Sequence, residues 1–351
     1  MGSPVPAFFL RPCVLALLAP GLVSGGDADT LRAAGEVHLR AVRQLTFGGE
    51  NAEAYFSPDG HELVFQSTRA PYACDQIFRM PVEGGDARLV SNGKGRTTCA
   101  YFLPDGRSVL YASTFLGSED CPPPADFSQG YVWSLFPDYD IFVRDEEDGL
   151  VRLTDTPGYD AEATVSPSGD RIVFTSLRSG DLDLYSMNLD GTDVRRLTDR
   201  LGYDGGAFYS PDGKEIVFRA QVPSTEEERK DYLDLLRQNR IRPGVLDLYV
   251  MNADGSDRRT VLANGAANFA PYFFPDGERI IFCSNLHNPD GRNFDLFMIR
   301  KDGTGLEQVT HHEAFDGFPM FSPDGKLLVF ASNRNQKERG ETNVFLAEWR
   351  D

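Results

Sequence analysis

The sequence has few of the residues that build most catalytic and metal sites. Its 351 residues include 5 histidines, 5 cysteines and 2 tryptophans. No Gly-x-Ser-x-Gly segment is present, which excludes the nucleophile elbow of a serine hydrolase. His312 and Glu313 are followed by Asp316 where a zinc peptidase motif requires histidine. Without paired cysteines near paired histidines, the sequence also disfavours a zinc site.

Positive charge is scarce. The chain carries 35 basic and 53 acidic residues, which gives a formal net charge of −18. This charge opposes binding to nucleic acid or to an anionic membrane. A cationic partner, a metal ion or simple solubility would each suit it.

Long hydrophobic runs are also missing. The apolar run at residues 14–19 follows Arg11 and is too short to span a bilayer. Together with the small residues at 24–26, it indicates a secretory signal over residues 1–26. Cys13 precedes the run, so a lipoprotein anchor is not indicated. We expect a periplasmic or extracellular protein with no membrane anchor.

The sequence is rich in one repeated turn. Six times a strand ends in Pro-Asp-Gly or Pro-Ser-Gly and another follows, with prolines at positions 58, 104, 167, 211, 275 and 323. Proline presets the first central position of a type I turn, and the following residues suit the next positions. The spacings of 46, 63, 44, 64 and 48 residues indicate one unit repeated six times, as in a β-propeller.

Each unit contains four strand patterns, of which the last is short and polar. The sixth unit stops after its third strand, at residues 343–349, whereas residues 42–46 match a fourth strand ahead of the first unit. We therefore predict an all-β, six-bladed propeller of four-stranded blades over residues 42–351. The ring closes by pairing the N-terminal strand with the C-terminal blade, and residues 27–41 form an N-terminal extension.

Three repeated segments resemble the repeats of TolB-like six-bladed propellers. They are the Ser-Pro-Asp-Gly turn, the hairpins at 183–191 and 247–255, and the Arg-Arg-Leu-Thr strand at 195–198. The resemblance covers about residues 42–349. It implies the fold and a range of functions, which includes periplasmic scaffolds, propeller domains of peptidases and a few lyases. Those lyases hold a metal with several channel histidines, whereas here only His287, His311 and His312 lie on the relevant face.

Two units carry insertions between their second and third strands, at residues 115–138 and 221–244. The first is rich in proline and aromatic residues. The second predicts a helix with Ser224 and Glu227 as a capping box and Pro243 near its end. In a propeller both insertions lie on the face that carries the links between blades. Such insertions mark a binding face or cover exposed blade surface.

Four cysteines follow the signal, and export permits a disulfide among them. Cys74 and Cys121 lie in loops of neighbouring units on one face, and Cys99 begins the inner strand between them. Any two of the three can meet, and we favour the pair Cys74 and Cys121. Cys283 belongs to a buried strand and is expected to be a core thiol.

Polar residues recur at the entry of each inner strand, seven residues before the turn proline. They are Asn51, Thr97, Asp160, Asp204, Asn268 and Asp316. Tyr159 and Tyr203 precede two of them, and Glu53 and Glu162 stand two positions further in. Such side chains cap turns, or they form an oxygen ring at the channel mouth for a hard cation or a peptide amino group. We predict a binding site here, with a divalent cation as the possible cofactor.

Arginines recur eleven residues after the turn proline in the first, third and sixth units. These residues are Arg69, Arg178 and Arg334. Beside an acidic ring they form internal salt bridges, or they bind a ligand carboxylate if they are free. The sequence leaves both roles open.

The sequence favours a secreted or periplasmic binding module or scaffold, without catalysis of its own. We expect it to recognise a protein or peptide on its channel-mouth face. The alternative is a propeller enzyme, a polysaccharide lyase or hydrolase, that acts at the channel mouth. A third possibility is a gating propeller for a separate peptidase.

Overall fold

The chain forms a ring of six four-stranded antiparallel sheets in a computed structural model, which describes residues 28–124, 128–145, 149–289, 291 and 293–351. The predicted six-bladed all-β propeller is confirmed. The proposed signal, residues 1–26, lies outside the described residues. No described helix is long and apolar enough to cross a membrane.

The first half of the ring contains the closing strand and blades 1 to 3. A short 3₁₀ helix (Ala28–Leu31) precedes the closing strand β1 (Leu39–Gln44). Blade 1 contains β2 (Glu50–Phe56), β3 (Glu62–Thr68), β4 (Gln76–Pro81) and β5 (Arg88–Leu89). Blade 2 contains β6 (Thr97–Phe102), β7 (Val109–Ser113), the insertion strand β8 (Trp133–Ser134), β9 (Asp140–Asp145) and β10 (Gly149–Arg152). Blade 3 contains β11 (Asp160–Val165), β12 (Arg171–Ser176), β13 (Asp183–Asn188) and β14 (Arg195–Arg196).

The second half contains blades 4 to 6. Blade 4 contains β15 (Tyr203–Tyr209), β16 (Glu215–Gln221), the insertion elements α1 (Glu226–Leu236) and β17 (Arg240–Ile241), β18 (Asp247–Asn252) and β19 (Arg259–Leu262). Blade 5 contains β20 (Asn268–Phe273), β21 (Arg279–Ser284), β22 (Asp295–Arg300) and β23 (Glu307–Gln308). Blade 6 contains β24 (Asp316–Phe321), β25 (Leu327–Ser332) and β26 (Asn343–Trp349), with β1 as its outer strand.

An aromatic pair forms the core of every blade, because the second and third strands place one ring each on the same sheet face. The ring centroids of the six pairs lie 5.7 to 6.3 Å apart, close enough for direct aromatic contact. The pairs are Phe65 with Phe78, Tyr111 with Phe142, Phe174 with Tyr185, Phe218 with Tyr249, Phe282 with Phe297, and Phe330 with Phe345.

The ring closes where β1 pairs antiparallel with β26, from Leu39 opposite Trp349 to Gln44 opposite Phe345. The strand begins three residues earlier than the predicted start at residue 42. Beyond its end, the Thr46 hydroxyl donates to Asn343 Oδ1 (3.0 Å) and accepts from the Val344 amide (2.9 Å). The closure thus satisfies the backbone groups that an open edge would expose.

The two insertions join above blade 3, since β8 pairs with β17. The predicted helix is confirmed as α1, but its capping box is Thr225 and Glu228, one residue later than predicted. The described residues of the two insertions, 115–124, 128–138 and 221–244, are together called the cap below. Buried side chains of the cap, including Leu135, Tyr232 and Ile241, pack against blades 2 to 4.

Replacing Leu39 by alanine is expected to lower the free energy of unfolding by about 2–5 kcal/mol, as for other buried leucines. Leu39 is 0% exposed, and its side chain packs between blades 5 and 6. The neighbouring Val37 is 63% exposed, so Val37→Ala should change stability by less than about 0.5 kcal/mol. Urea unfolding measures both. Equal stabilities for the two variants would contradict the role of β1 in ring closure.

Candidate functional site at the central channel

A bulge in every inner strand decides which residues face the channel. Each of the six strands has a shift in register at this point. The residue five before the turn proline has a positive φ in all six blades, at Glu53, Cys99, Glu162, Gly206, Ala270 and Phe318. These residues share one level of the channel and line a cavity of about 50 Å³. Bulges commonly re-aim a side chain in this way.

An aromatic septum closes the channel below this level. It consists of the residues three before the turn proline, chiefly Tyr55, Tyr101, Phe208 and Tyr272. Tyr55 of blade 1 meets Phe208 of the opposite blade 4 with centroids 5.6 Å apart. Phe208 also contacts Tyr101 (6.1 Å) and Tyr272 (5.3 Å). The septum separates the small cavity on the insertion-bearing face from a larger cavity at the turn-bearing end.

The small cavity has an ion pair in its wall. Arg219 Nη2 donates to Glu162 Oε1 (3.1 Å) and to the Tyr203 hydroxyl (2.7 Å), which in turn donates to Glu162. Glu162 also accepts from the Gly206 amide (2.7 Å) and the Thr175 hydroxyl (3.0 Å). These hydrogen bonds to a charged group are strong and directional, so they hold the Glu162 carboxylate in one orientation.

Two adjacent glycines make room for this network. A Cβ atom at Gly205 would collide with Glu162 and the Tyr203 ring, and one at Gly206 would collide with the Arg219 guanidinium. Gly206 also adopts φ +57°, which favours glycine. Blade 4 therefore leaves a gap in the ring, and the Arg219 side chain from β16 fills it.

Glu53 and Cys99 form the other wall of the small cavity. Burial raises the pKa of Glu53 to about 7, although a hydrogen bond with Cys99 and the charge of Arg219 oppose the shift. Burial also raises the pKa of the Cys99 thiol well above its usual value. At neutral pH Glu53 is therefore divided between its acid and its carboxylate, and Cys99 remains a thiol.

The residues predicted to ring the channel mouth lie inside the blades. Asn51, Thr97, Asp160, Asp204, Asn268 and Asp316 are 0 to 2% exposed. Tyr159 and Tyr203 are also buried, at 8% and 1%. Of the predicted site residues, Glu53 and Glu162 line the channel cavity, and the others are not among its lining residues. Ligand binding by these buried side chains stays a prediction.

The predicted arginines pair with the strand-entry residues of their own blades. Arg69 Nη2 donates to Asn51 Oδ1 (2.5 Å), and Arg178 Nη2 donates to both Asp160 oxygens (3.1 Å each). Arg334 bridges Asp316 (2.7 Å) and Glu36 (2.9 Å). The N-terminal extension thus contributes a buried carboxylate to blade 6.

A fourth arginine, which sequence reasoning missed, completes the same arrangement in blade 4. Arg258 donates to both Asp204 oxygens through its two terminal guanidinium nitrogens (2.9 and 3.2 Å). Its guanidinium lies over Phe218 and Tyr249, as Arg178 lies over Phe174 and Tyr185. Arg258 comes from the hairpin before β19, because the insertion occupies the loop that supplies arginine elsewhere. Only proximity in the fold could identify it.

The cap covers one side of the small cavity. The Trp133 ring meets Tyr203 edge to face (6.0 Å), and the Arg219 guanidinium lies 5.8 Å from the Trp133 centroid. Sequence reasoning also missed Arg219 and Trp133 as channel residues. The position five before each turn proline could have identified Cys99 and the gap at Gly206, but no spacing in the sequence points to Trp133.

A disulfide joins Cys74 to Cys121, with Cα atoms 5.9 Å apart. It ties the first insertion to blade 1, and this is the pair that the sequence analysis favoured. Cys99 and Cys283 are free thiols. Within the described ranges, no group of three or more His, Cys, Asp or Glu side chains is placed to hold a metal ion. Binding of a divalent cation at the channel mouth therefore stays a prediction, and the described residues do not suggest which side chains would coordinate it.

No protein-family model matches the sequence. The chain is 27% identical over 150 residues to an uncharacterized protein of Agrobacterium fabrum, a match that spans 40% of this chain and 43% of that protein. The matched stretch is thus less than half the length of that relative.

Several solved structures share the fold. A TolB candidate from Agrobacterium tumefaciens superposes with a TM-score of 0.54 at 18% identity, covering 86% of this chain and 91% of that chain. TolB from Acinetobacter baumannii gives 0.55 at 18% identity, over 86% and 64%. An oligogalacturonate lyase in complex with manganese gives 0.53 at 13% identity, over 88% and 93%. The protein is thus a six-bladed propeller with TolB-like structural neighbours. At identities this low, the shared fold does not show that this protein has the function of any of them.

Arg334→Met is expected to lower the free energy of unfolding by about 3–5 kcal/mol, because it leaves Asp316 and Glu36 buried without their cation. The control is Arg195→Met, whose exposed pair with Asp193 should contribute no more than about 1 kcal/mol. Thermal and urea unfolding compare the two. A loss at Arg334 as small as that at Arg195 would contradict the buried bridge.

The pH dependence of stability tests Glu53. Because its folded pKa of about 7 exceeds its unfolded value, protonation favours the folded state. This contribution is fully present below the unfolded pKa of roughly 4.3 and is lost as pH rises to about 7. Glu53→Gln should make the fall in stability over this interval less steep. The exposed Glu313→Gln is the control, and identical profiles for the two variants would contradict the raised pKa.

Proposed function

We propose that the protein is an exported β-propeller binding module that recognises a protein or peptide on its insertion-bearing face. The observation that carries the proposal is the cap, in which insertions from blades 2 and 4 pair with each other across blade 3. A disulfide and a buried apolar cluster hold the cap on the blades. Such a rigid surface reduces the ordering entropy lost on binding.

Exposed apolar side chains on this face support a macromolecular partner. Leu116 and Tyr131 in the first insertion are 52% and 46% exposed, and Val245, which directly follows the second, is 49% exposed. Phe47, in the link that enters blade 1, is 70% exposed. Tyrosine is enriched among the few residues that contribute most of the affinity in protein interfaces, and the neighbouring apolar side chains help to exclude water. The net charge of −18 favours a protein or peptide over nucleic acid.

The channel interior supports binding over catalysis or gating. The cavity of about 50 Å³ on this face is far below the ~300–1,000 Å³ of pockets that take a substrate-sized ligand. The septum closes the passage that a gating propeller for a separate peptidase would need. We therefore expect the protein or peptide partner to contact the outer surface of the cap.

One observation favours the second candidate, a polysaccharide lyase or hydrolase at the channel mouth. The pKa of Glu53, about 7, suits a general acid or base at neutral pH. A screen of the mature protein against polysaccharides and peptides tests this candidate. Activity that disappears in Glu53→Gln and persists in Glu313→Gln would establish the enzyme in place of the binding module.

The binding module is tested by replacing Leu116 and Tyr131 together with alanine. A partner is first captured from an envelope extract, identified and purified, and then titrated against each variant. Loss of both apolar contacts should raise Kd by about tenfold or more, equivalent to ~1.4 kcal/mol.

The matched control replaces Val151 and Leu306, which are 52% and 42% exposed on the outer parts of blades 2 and 5. The control should bind like the wild type, and both variants should keep the wild-type melting temperature. Unchanged affinity in the cap variant would remove the cap as the binding surface. Equal losses in the two variants would do the same.

A further inference from the structure

The turn-bearing end of the channel holds a second cavity, which the proposed function does not use. Its volume is about 310 Å³, and the septum residues Tyr101 and Tyr272 form its floor with Met320. The walls come from the inner-strand ends and from the six turn prolines, Pro58, Pro104, Pro167, Pro211, Pro275 and Pro323. We call this cavity the proline socket.

The walls of the proline socket are rigid and mostly apolar. In three turns the serine before the proline donates to the turn aspartate: Ser57 to Asp59 (2.6 Å), Ser210 to Asp212 (2.7 Å) and Ser322 to Asp324 (2.7 Å). The wall hydroxyls are thus already bonded, and the prolines have a fixed φ. A preformed apolar cavity of this kind suits an apolar or aromatic group.

A ring of carboxylates surrounds the mouth of the socket, with one aspartate from each blade. They are Asp59, Asp105, Asp170, Asp212, Asp276 and Asp324. Five are turn residues, and Asp170 directly follows the Pro167-Ser168-Gly169 turn. Hydrogen bonds from serine hydroxyls lower the pKa of Asp59 and Asp170, and they lower the pKa of Asp212 and Asp324 to about 2. These carboxylates are therefore ionised at neutral pH.

The rim aspartates differ in whether they form an ion pair. In blades 4 to 6 each turn aspartate has a cation within reach: Lys214 for Asp212 (3.2 Å), Arg279 for Asp276 (2.7 Å) and Lys326 for Asp324 (2.9 Å). In the part of the chain that the structure describes, Asp59, Asp105 and Asp170 have no lysine or arginine within 4.0 Å. The rim carboxylates without an ion pair of this kind thus belong to three consecutive blades, 1 to 3. Besides the serine hydrogen bonds, the positive charge of Arg171 helps to lower the pKa of Asp170, although the two side chains do not form an ion pair.

We propose that the turn-bearing end is a second binding site, which takes a protein segment with an aromatic side chain flanked by basic residues. The aromatic ring enters the proline socket, and the basic side chains lie over Asp59, Asp105 and Asp170. The socket volume of about 310 Å³ is at the lower end of the ~300–1,000 Å³ of ligand pockets, so it has room for an aromatic side chain.

A protein segment fits these features better than a small molecule does. The carboxylates stand outside the socket on separate blades, so only groups on either side of the inserted ring can reach them. Burial of the ring provides most of the affinity, whereas exposed carboxylate pairs add little each. The charges instead set the orientation of the segment and exclude acidic sequences.

Short synthetic peptides test this site on the mature protein. The first has one tryptophan between two pairs of lysines. The second has alanine in place of the tryptophan, and the third has glutamates in place of the lysines. Calorimetric titration should show that the first binds at least about tenfold more tightly than either of the others. Equal binding of the alanine peptide would mean that an acidic protein attracts any basic peptide, and it would overturn the proposal. Equal binding of the glutamate peptide would show that the carboxylates do not select basic residues, and it would also overturn the proposal.

Two matched triple variants locate the site on the rim. Asp59, Asp105 and Asp170 are replaced by asparagine in one, and Asp212, Asp276 and Asp324 in the other. Asparagine keeps the side-chain acceptor and suits these turns, so both variants should melt near the wild-type temperature. The first should weaken binding of the lysine and tryptophan peptide about fivefold or more, and the second less than about twofold. Equal effects would overturn the assigned orientation.

A plugging variant, Met320→Trp, tests the socket itself, since a larger side chain at its floor reduces its volume. It should weaken binding of the tryptophan peptide and leave the alanine peptide unaffected. Should it fail to fold, the comparison of peptides and of rim variants still decides the proposal. The alanine replacements at Leu116 and Tyr131 lie on the opposite face and should not change this binding, so the two proposed sites can fail separately.

Discussion

Closure of the ring is the constraint on which the other features of this molecule depend. Six blades of the same design would leave an unpaired edge at each end of a linear array, and the pairing of β1 with β26 removes both. Closure also fixes the inner strands around one axis, so the channel exists only in the complete ring. The buried bridge from Glu36 to Arg334 joins the segment before β1 to the last blade.

The β-bulge in each inner strand determines which side chains lie in the channel. The bulge in each inner strand directs the residues five and three before the turn proline toward the axis. The first level contains Glu53, Cys99, Glu162 and the gap at Gly206, and the second contains the aromatic septum. The fold therefore presents two separate ends with different chemistry. One end is small, charged and partly covered by the cap, and the other is open, apolar and surrounded by carboxylates.

The buried polar groups of the blades are mostly structural. Strand-entry residues are bonded to an arginine in four blades, at Asn51, Asp160, Asp204 and Asp316. Burial raises the pKa of Asp204 to about 6 even beside Arg258, so the arginine only partly offsets the loss of hydration. Removing one partner would leave an uncompensated buried charge, so loss of either member of a pair is expected to destabilise the fold. Function is consequently assigned to the surfaces beyond them.

The sequence by itself determined the number of blades, the strand order, the closure and the face of both insertions, because turn chemistry and alternation are local properties that repeat. It also placed Glu53 and Glu162 near the axis, and it favoured Cys74 with Cys121 among the three cysteines that share one face. Only the tertiary structure shows that Arg258 replaces the loop arginine that the insertion of blade 4 displaces. The same is true of Arg219, which fills the space beside Gly206. The tertiary structure likewise decided that β8 meets β17 and that opposite blades form a septum. These contacts join residues far apart in the chain, and their geometry depends on bulges and side-chain packing that no local pattern specifies.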